Sequence, residues 1–437
     1  MQKTRFILLP ALLLLLLFIV GLGRLWGQAY VEGGNTRHRF AQLTLGGDVL
    51  FVPSGGTAQA LQSDGTLANY AMPHRLQPRL SIGGTHFWGH AEFYVAFDLP
   101  NLLSDEVAPG TEYYTTSGIE TAFKLYPWRL ERGKVRPFVG SGMSVPAVQL
   151  RQNGQRGRYL NGTVVPLMAG LTYQRGNLLW EIGARHRLGQ AQNYYVSREV
   201  AATLEPARLG LFMGVRYQLE TTVSAEAPYR DGRTERLVEY LRERGKLSAF
   251  SVGVGPSSSF NIFPGRSTYN QQERPYLGDH EGADSFLEFG LGYYYAPFDA
   301  HLNLSVRNYR SRISAYDFEQ AVRRRAFTLE AYKFLFDFHG FVPFVGPSVS
   351  FDRWGLRETD REQEVHAQSE DHILPGITFG WDIRPDEAQS IILRTNLRYT
   401  PFRMATPGDT ELVLHQLEFN FIQLVIYPGR WKALRNR

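Results

Sequence analysis

Beyond residue 39 the chain is made almost wholly of short runs in which apolar and polar residues alternate, the period of a strand with two unlike faces, and helical periodicity is nearly absent. The first eight runs are Gln42 to Val52, Arg79 to Trp88, Ala91 to Leu99, Tyr114 to Tyr126, Val135 to Gln149, Val164 to Tyr173, Leu178 to Leu188 and Leu209 to Leu219. Most approach the roughly 9 to 11 residues with which a tilted strand crosses a bilayer. Connections rich in Gly, Asn, Ser and charge follow the first, third, fifth and seventh runs; tight ones follow the second, fourth and sixth. Long on one side and short on the other is the arrangement of an up-and-down barrel.

The series then restarts. Leu247 to Phe263, Ser285 to Ala296, His301 to Arg307, Phe327 to Phe336, Phe344 to Arg353, Ile373 to Ile383, Ile391 to Tyr399 and Gln416 to Ile426 repeat the order of long and short gaps. Ala122-Phe123-Lys124 leads to Pro137-Phe138-Val139-Gly140, as Ala331-Tyr332-Lys333 leads to Pro343-Phe344-Val345-Gly346. Such agreement at matching places reads as a tandem repeat of about 200 residues. Between the copies, Leu237, Val238 and Leu241 fall at helical spacing before Gly245, a helix stop. The expected organisation is a first repeat over residues 30–221, a linker with a short helix over 222–246 on the short-turn side, and a second repeat over 247–437.

Lys3 and Arg5 precede the apolar stretch Ile7 to Val20, and Gly27-Gln28-Ala29 supplies small residues for cleavage, so Met1 to Ala29 reads as a secretory signal peptide. The formal charge of +5 falls to +2 without Lys3, Arg5 and Arg24, which excludes a nucleic-acid footprint. The absence of cysteine excludes disulfides, thiolate metal sites and a cysteine nucleophile. Alternation alone does not tell an apolar interior from an apolar exterior. Aromatic residues near strand ends, among them Trp88, Tyr126, Trp128, Trp354, Trp381 and Tyr427, resemble interfacial girdles and favour a membrane barrel.

The segment Lys124-Leu125-Tyr126-Pro127-Trp128 with Val135-Arg136-Pro137-Phe138-Val139-Gly140-Ser141-Gly142, repeated more loosely from Lys333 to Pro347, resembles the turn and fifth-strand region of OmpA/OmpX-like porin-family domains of Gram-negative envelopes. The resemblance implies an all-β fold of transmembrane antiparallel up-and-down barrels in the bacterial outer membrane, with outer-membrane lipid, lipopolysaccharide and the barrel-assembly machinery as partners. Such proteins often end on an aromatic residue; here a basic tail, Pro428 to Arg437, follows Tyr427.

Two tandem eight-stranded barrels are expected, the alternative being one barrel of about 16 strands. Inward parity collects Glu92, Glu120, Lys124, Glu181, Arg185, Arg187 and Arg216 in the first copy and Glu288, Arg307, Lys333, Arg394, Arg398, Glu418 and Asn420 in the second. Mixed signs on facing strands of a narrow barrel predict a paired charge network filling each lumen. Arg185 and Arg398 are read as equivalents, with Glu120 or Glu181 and Glu288 or Glu418 as their partners, and Lys124 and Lys333 as another equivalent pair. Arg323-Arg324-Arg325 reads as part of a connection that could clamp lipopolysaccharide phosphates or be a solvated charged loop. Asp279-His280-Glu281 with Asp284, and His86 with His90, are weak metal candidates, and no metal or cofactor is assigned. No nucleophile, base and orienting group stand at a readable spacing, so no enzyme is expected. The function expected is structural and envelope-stabilising, with Pro53 to Pro78 and Gly189 to Pro206 as outer loops open to an unknown ligand. The alternatives are a passive diffusion porin, which requires the 16-stranded closure, and a lipid-modifying enzyme.

Overall fold

The computed structural model describes residues 31–32, 35–36, 42–62, 64–86, 89–160, 164–188, 191–219, 223–224, 232–280, 284–337, 341–384 and 388–435. The leader expected at Met1 to Ala29, Glu281, and most of the linker before residue 232 lie outside them.

Strands β1 (Gln42–Val52), β2 (Arg75–His86), β3 (Ala91–Asp98), β4 (Thr111–Leu125), β5 (Val135–Gln152), β6 (Val165–Arg175), β7 (Leu178–Leu188) and β8 (Leu209–Leu219) pair antiparallel in chain order. The ring closes because β8 returns to β1, with Leu211 opposite Phe51 and Leu219 opposite Leu43. After helix α1 (Gly232–Glu243) a second ring begins. It comprises β9 (Ala249–Ile262), helix α2 (Thr268–Glu273) in the following connection, β10 (Asp284–Tyr295), β11 (Ala300–Ala315), β12 (Phe318–Phe334), β13 (Phe341–Asp360), β14 (Gln363–Ile383), β15 (Ile391–Thr400) and β16 (His415–Ile426), followed by helix α3 (Pro428–Arg435). β16 returns to β9, with Ile426 opposite Val252. The fold is two eight-stranded antiparallel barrels. The 16-stranded alternative is corrected by these closures: each first strand spends its free edge on the last strand of its own half, which leaves no edge for a larger ring.

Each wall has its apolar face outside. Leu45, Leu80, Leu171, Ile182, Leu211 and Met213 stand exposed on the first barrel, and Leu287, Phe289, Leu304, Phe327, Val349 and Ile377 on the second, while the alternate positions are buried. In water such belts would be an unusually large exposed apolar surface. In lipid they match the solvent, and closure leaves no backbone edge unpaired. The barrels are therefore of the transmembrane type.

Strand lengths depart from the sequence pattern on one side of the second barrel. β11 to β14 run to 16, 17, 20 and 21 residues, well past the expected limits near Arg307, Phe327, Arg353 and Ile373. Beyond those points many outward residues are polar or charged, so the apolar and polar contrast fades although the cross-strand ladders continue. Two expected long connections are thus two-residue turns, Tyr316-Asp317 and Arg361-Glu362, each with both residues at positive φ.

Both outer mouths are roofed. Over the first barrel, Gly56–Leu61, Leu67–Ala71, Gln192–Tyr195 and Ala201–Pro206 form a four-stranded sheet. The loops expected at Pro53 to Pro78 and Gly189 to Pro206 thus pair with each other, Leu204 opposite Ala58. Over the second, α2 and the hairpin Arg403–Thr406 with Thr410–Val413 pack around Tyr269, Trp354, Phe402, Met404 and Leu412. At its inner end α1 and α3 meet around Leu237, Leu241 and Ala388, and Gly245 at φ +64 ends the α1 segment.

Candidate functional site

The lumens are where both barrels concentrate buried charge. In the first, β3, β4, β7 and β8 bring Glu92, Lys124, Glu181 and Arg216 together. Lys124 Nζ lies 2.6 Å from Glu181 and 3.7 Å from Glu92, and Arg216 bridges the same two carboxylates. The Tyr126 hydroxyl donates to Glu92 at 2.7 Å. A second set forms around Glu120: Arg79 contacts it at 3.2 Å and Asp48 at 2.6 Å, Arg185 pairs with its other oxygen, and the Tyr94 hydroxyl donates at 3.0 Å. Each set balances two carboxylates with two cations. A buried carboxylate is tolerated only when paired and hydrogen-bonded in this way.

The second lumen holds a continuous chain. Arg398 engages Glu288 through two hydrogen bonds of 2.7 Å and also pairs with Glu330. Glu330 meets Arg307 at 3.1 Å, Arg307 meets Glu418 at 3.2 Å, Glu418 meets Arg324 at 2.7 Å and Arg324 meets Asp352 at 2.6 Å. Asn303 and Thr378 donate to Glu330, at 2.7 and 2.9 Å. Nearer the inner end, Arg394 and Asp382 form a separate pair at 2.7 Å.

Of the fourteen residues read as inward from sequence, twelve lie in these networks, Asn420 by donating to Glu288 at 3.3 Å; Arg187 stands apart from them, and Lys333 does not face the lumen. It is exposed on the outer face, its ammonium donating to the Phe298 carbonyl, while Tyr332 and Phe334 point inward. The inferred equivalence of Lys124 and Lys333 is therefore corrected. Lys124 faces inward and packs 4.9 Å above the Phe138 ring, whereas Arg394 covers Phe344 at 5.4 Å in the second barrel. The two glycines of the repeated PFVG do correspond. A Cβ on Gly140 or Gly346 would strike the facing strand, so glycine lets the walls close around the inward Phe138 and Phe344.

Asp48, Arg79, Arg324, Glu330, Asp352 and Asp382 complete the networks without having been assigned from sequence. Arg323, Arg324 and Arg325 are not in a loop but within β12, Arg324 inward and its two neighbours outward. His280 is not a ligand candidate either. Its Nε2–H donates to Gln320 Oε1 at 2.9 Å and its Nδ1 accepts from Ser311 at 2.8 Å, and burial pushes the imidazole down to about 4. Adjacent Asp279 is pushed up to about 7 by burial, against the pull of Arg158. Asp284 instead accepts the Arg310 amide at 2.6 Å. His90 Nδ1 lies 2.9 Å from the Tyr126 carbonyl, and the His86 side chain is outside those described. Among the described residues no three metal-ligating side chains gather.

No family model and no curated protein matches the chain. Among solved structures it is similar to Neisserial surface protein A at 16% identity, covering 40% of this chain and 97% of that one with a TM-score of 0.27. It is also similar to the N-terminal β-barrel domain of Pseudomonas aeruginosa OprF at 13% identity, covering 40% and 99% with a TM-score of 0.25. OmpT of Vibrio cholerae matches at 9% identity, 89% and 99% coverage and a TM-score of 0.17.

Proposed function

We propose that this chain is a non-enzymatic twin-barrel protein of the bacterial outer membrane that anchors a rigid outer platform and stabilises the envelope without conducting solutes. The observation that carries the reading is that paired charges cross each lumen, with residues such as Glu92, Lys124, Glu288 and Arg398 almost wholly buried. An eight-stranded barrel has room for side chains and little else, and the roofs over both mouths oppose solute entry. The passive-porin reading loses support with the 16-stranded ring. The lipid-modifying alternative lacks a convergent nucleophile, base and acid at the outer rim among the described residues; Ser251 and His301 are 3.1 Å apart but face the second lumen.

The twin barrels descend, in this reading, from a tandem duplication of an OmpA/OmpX-like unit. The shared inward register of Phe138 and Phe344 supports it, and the single-residue offset at Lys124 and Lys333 marks where the copies have diverged. Planar-bilayer recording of the purified protein is the test. No steady conductance is expected, and reproducible large steps would overturn the proposal.

A further inference from the structure

The outward face of β11 to β13 changes chemistry at one level. Val306, Phe327 and Phe351 are exposed and apolar, and toward the long hairpins the outward positions turn polar and basic: Asn308 then Arg310 on β11, Arg325 then Arg323 on β12, and Arg353 on β13. The register sets Arg310 opposite Arg323, and Arg325 opposite both Asn308 and Arg353. All of these project away from the lumen, because the intervening Tyr309, Arg324 and Trp354 are buried. Arg353 is matched by Asp371 at 2.7 Å, but among the described residues Arg310, Arg323 and Arg325 make no ion pair. Asp284 accepts the main-chain amide of Arg310 at 2.6 Å.

Like charges directly opposite on neighbouring strands are destabilising unless something neutralises them. Guanidinium groups on adjacent staves suit phosphate oxygens, which they hold bidentately. Two residues along a strand tilted by about 40° lift a side chain by about 5 Å, so Arg325 stands about 5 Å and Arg323 about 10 Å beyond Phe327. The polar layer of a leaflet is roughly 5 to 7 Å thick, so Arg325 stands within it, and Arg310 and Arg323 stand just outside it, where a long arginine side chain turned back along the wall reaches lipid phosphates. A free phosphate would gain only the exposed cations. A lipid gains these and the apolar belt beneath them.

We propose that this face is a binding site for a multiply phosphorylated, multi-acyl lipid of the outer leaflet. Its phosphates bridge Arg310, Arg323 and Arg325, and its acyl chains lie along Val306, Phe327 and Phe351. The site rests on the membrane reading of the second barrel with its long hairpins outward. The test is native mass spectrometry of the full chain released from detergent after incubation with bisphosphorylated hexa-acyl lipid A, with the dephosphorylated lipid, or with inorganic phosphate as competitor. The parent should retain the bisphosphorylated lipid about tenfold better than the dephosphorylated one. The triple variant Arg310→Gln, Arg323→Gln, Arg325→Gln should lose that preference, while Arg312→Gln with Arg357→Gln, whose parent residues are already paired with Glu319 and Glu364, should keep it. Equal retention by the parent and the triple variant, or equal binding of both lipids, overturns the site. Complete displacement by millimolar phosphate overturns the lipid as its ligand. Failure of the folded parent to insert into vesicles would overturn the membrane reading itself, whereas insertion with an inert triple variant overturns the lipid site alone.

Discussion

Asp279 and His280 are neighbours in the connection between β9 and β10, and burial drives their protonation in opposite senses. Asp279, raised from 3.8 to about 7, keeps a proton that the unfolded chain has lost, so its contribution is full below pH 4 and disappears as pH rises through 7. His280, lowered from 6.5 to about 4, stays neutral where the unfolded chain is protonated, so its contribution is present above pH 6.5 and is lost as pH falls through 4. Between these limits the two slopes oppose, and the parent loop should be nearly indifferent to pH. Asp279→Asn should leave a loop whose stability rises by on the order of 3 kcal/mol from pH 4 to 6.5, and His280→Gln one whose stability falls by a similar amount toward pH 7. Hydrogen exchange of the Tyr276 to His280 amides, corrected for intrinsic rates, reads both; identical slopes in the three proteins would contradict the assignment. Arginines in the lumens should also differ in weight. Arg398 has 1% of its side chain exposed and serves Glu288 and Glu330, whereas Arg185, at 11%, serves Glu120, which keeps Arg79. Arg398→Ala should cost roughly 3 to 5 kcal/mol in urea unfolding of its barrel and Arg185→Ala clearly less. The reverse order would mean that water, rather than pairing, sets the cost.

Among the elements, the turn Arg361-Glu362 joins the two longest strands with φ values of +47 and +67, which side-chain-bearing residues seldom adopt. Asn-Gly suits that geometry. Arg361→Asn with Glu362→Gly should stabilise the hairpin tip by about 1 kcal/mol, seen as slower exchange at Asp360 and Gln363; unchanged or faster exchange would show that contacts of the tip outweigh its backbone strain. These strand ends also show what sequence could not deliver. The ring closures, the short turns and most inward charges were legible, because an apolar belt beside a polar lumen writes a period of two into residues such as Leu43 to Phe51 and Leu209 to Leu219. The extensions were not, since outward residues such as Arg310, Arg323 and Arg357 remove the contrast while the hydrogen-bonded ladder continues. β12 is obscured for a different reason. Aligning Ala331-Tyr332-Lys333 with Ala122-Phe123-Lys124 shifts parity by one residue, and a one-residue slip turns every side chain to the opposite face. The alignment thereby turns Lys333 inward and leaves out Glu330 and Arg324, the real lumen charges of that strand.

On the scale of the whole molecule, each barrel keeps its own wall, and the two touch where the rings of Phe93 and Trp381 lie 6.0 Å apart near the short-turn end and, more extensively, through their outer hairpins. Arg198, from the connection before β8, bonds the Asp360 carboxylate at 2.7 Å and the Tyr316 carbonyl at 2.6 Å. Tyr316 donates its amide to the Arg156 carbonyl at 3.1 Å and its hydroxyl to the Tyr195 carbonyl at 2.8 Å. Around these, Tyr276, Leu277, Ile313 and Phe318 pack with Tyr195 and Tyr316. The Arg198 and Asp360 pair is partly exposed, so its electrostatic contribution is modest; its two ends nevertheless belong to separate closed rings, and losing it should uncouple them without opening either. Two results follow from this arrangement. Arg198→Ala with Tyr316→Ala should split a single unfolding transition in denaturant into two, each retaining its strand signal. The segment Leu247 to Arg437, expressed alone, should refold into a heat-modifiable β species, because β9 and β16 supply each other's edge and α3 remains at the inner end. A fragment that refolds only when residues 30–221 are supplied in trans would show that the hairpin contact, not ring closure, decides whether the second barrel folds.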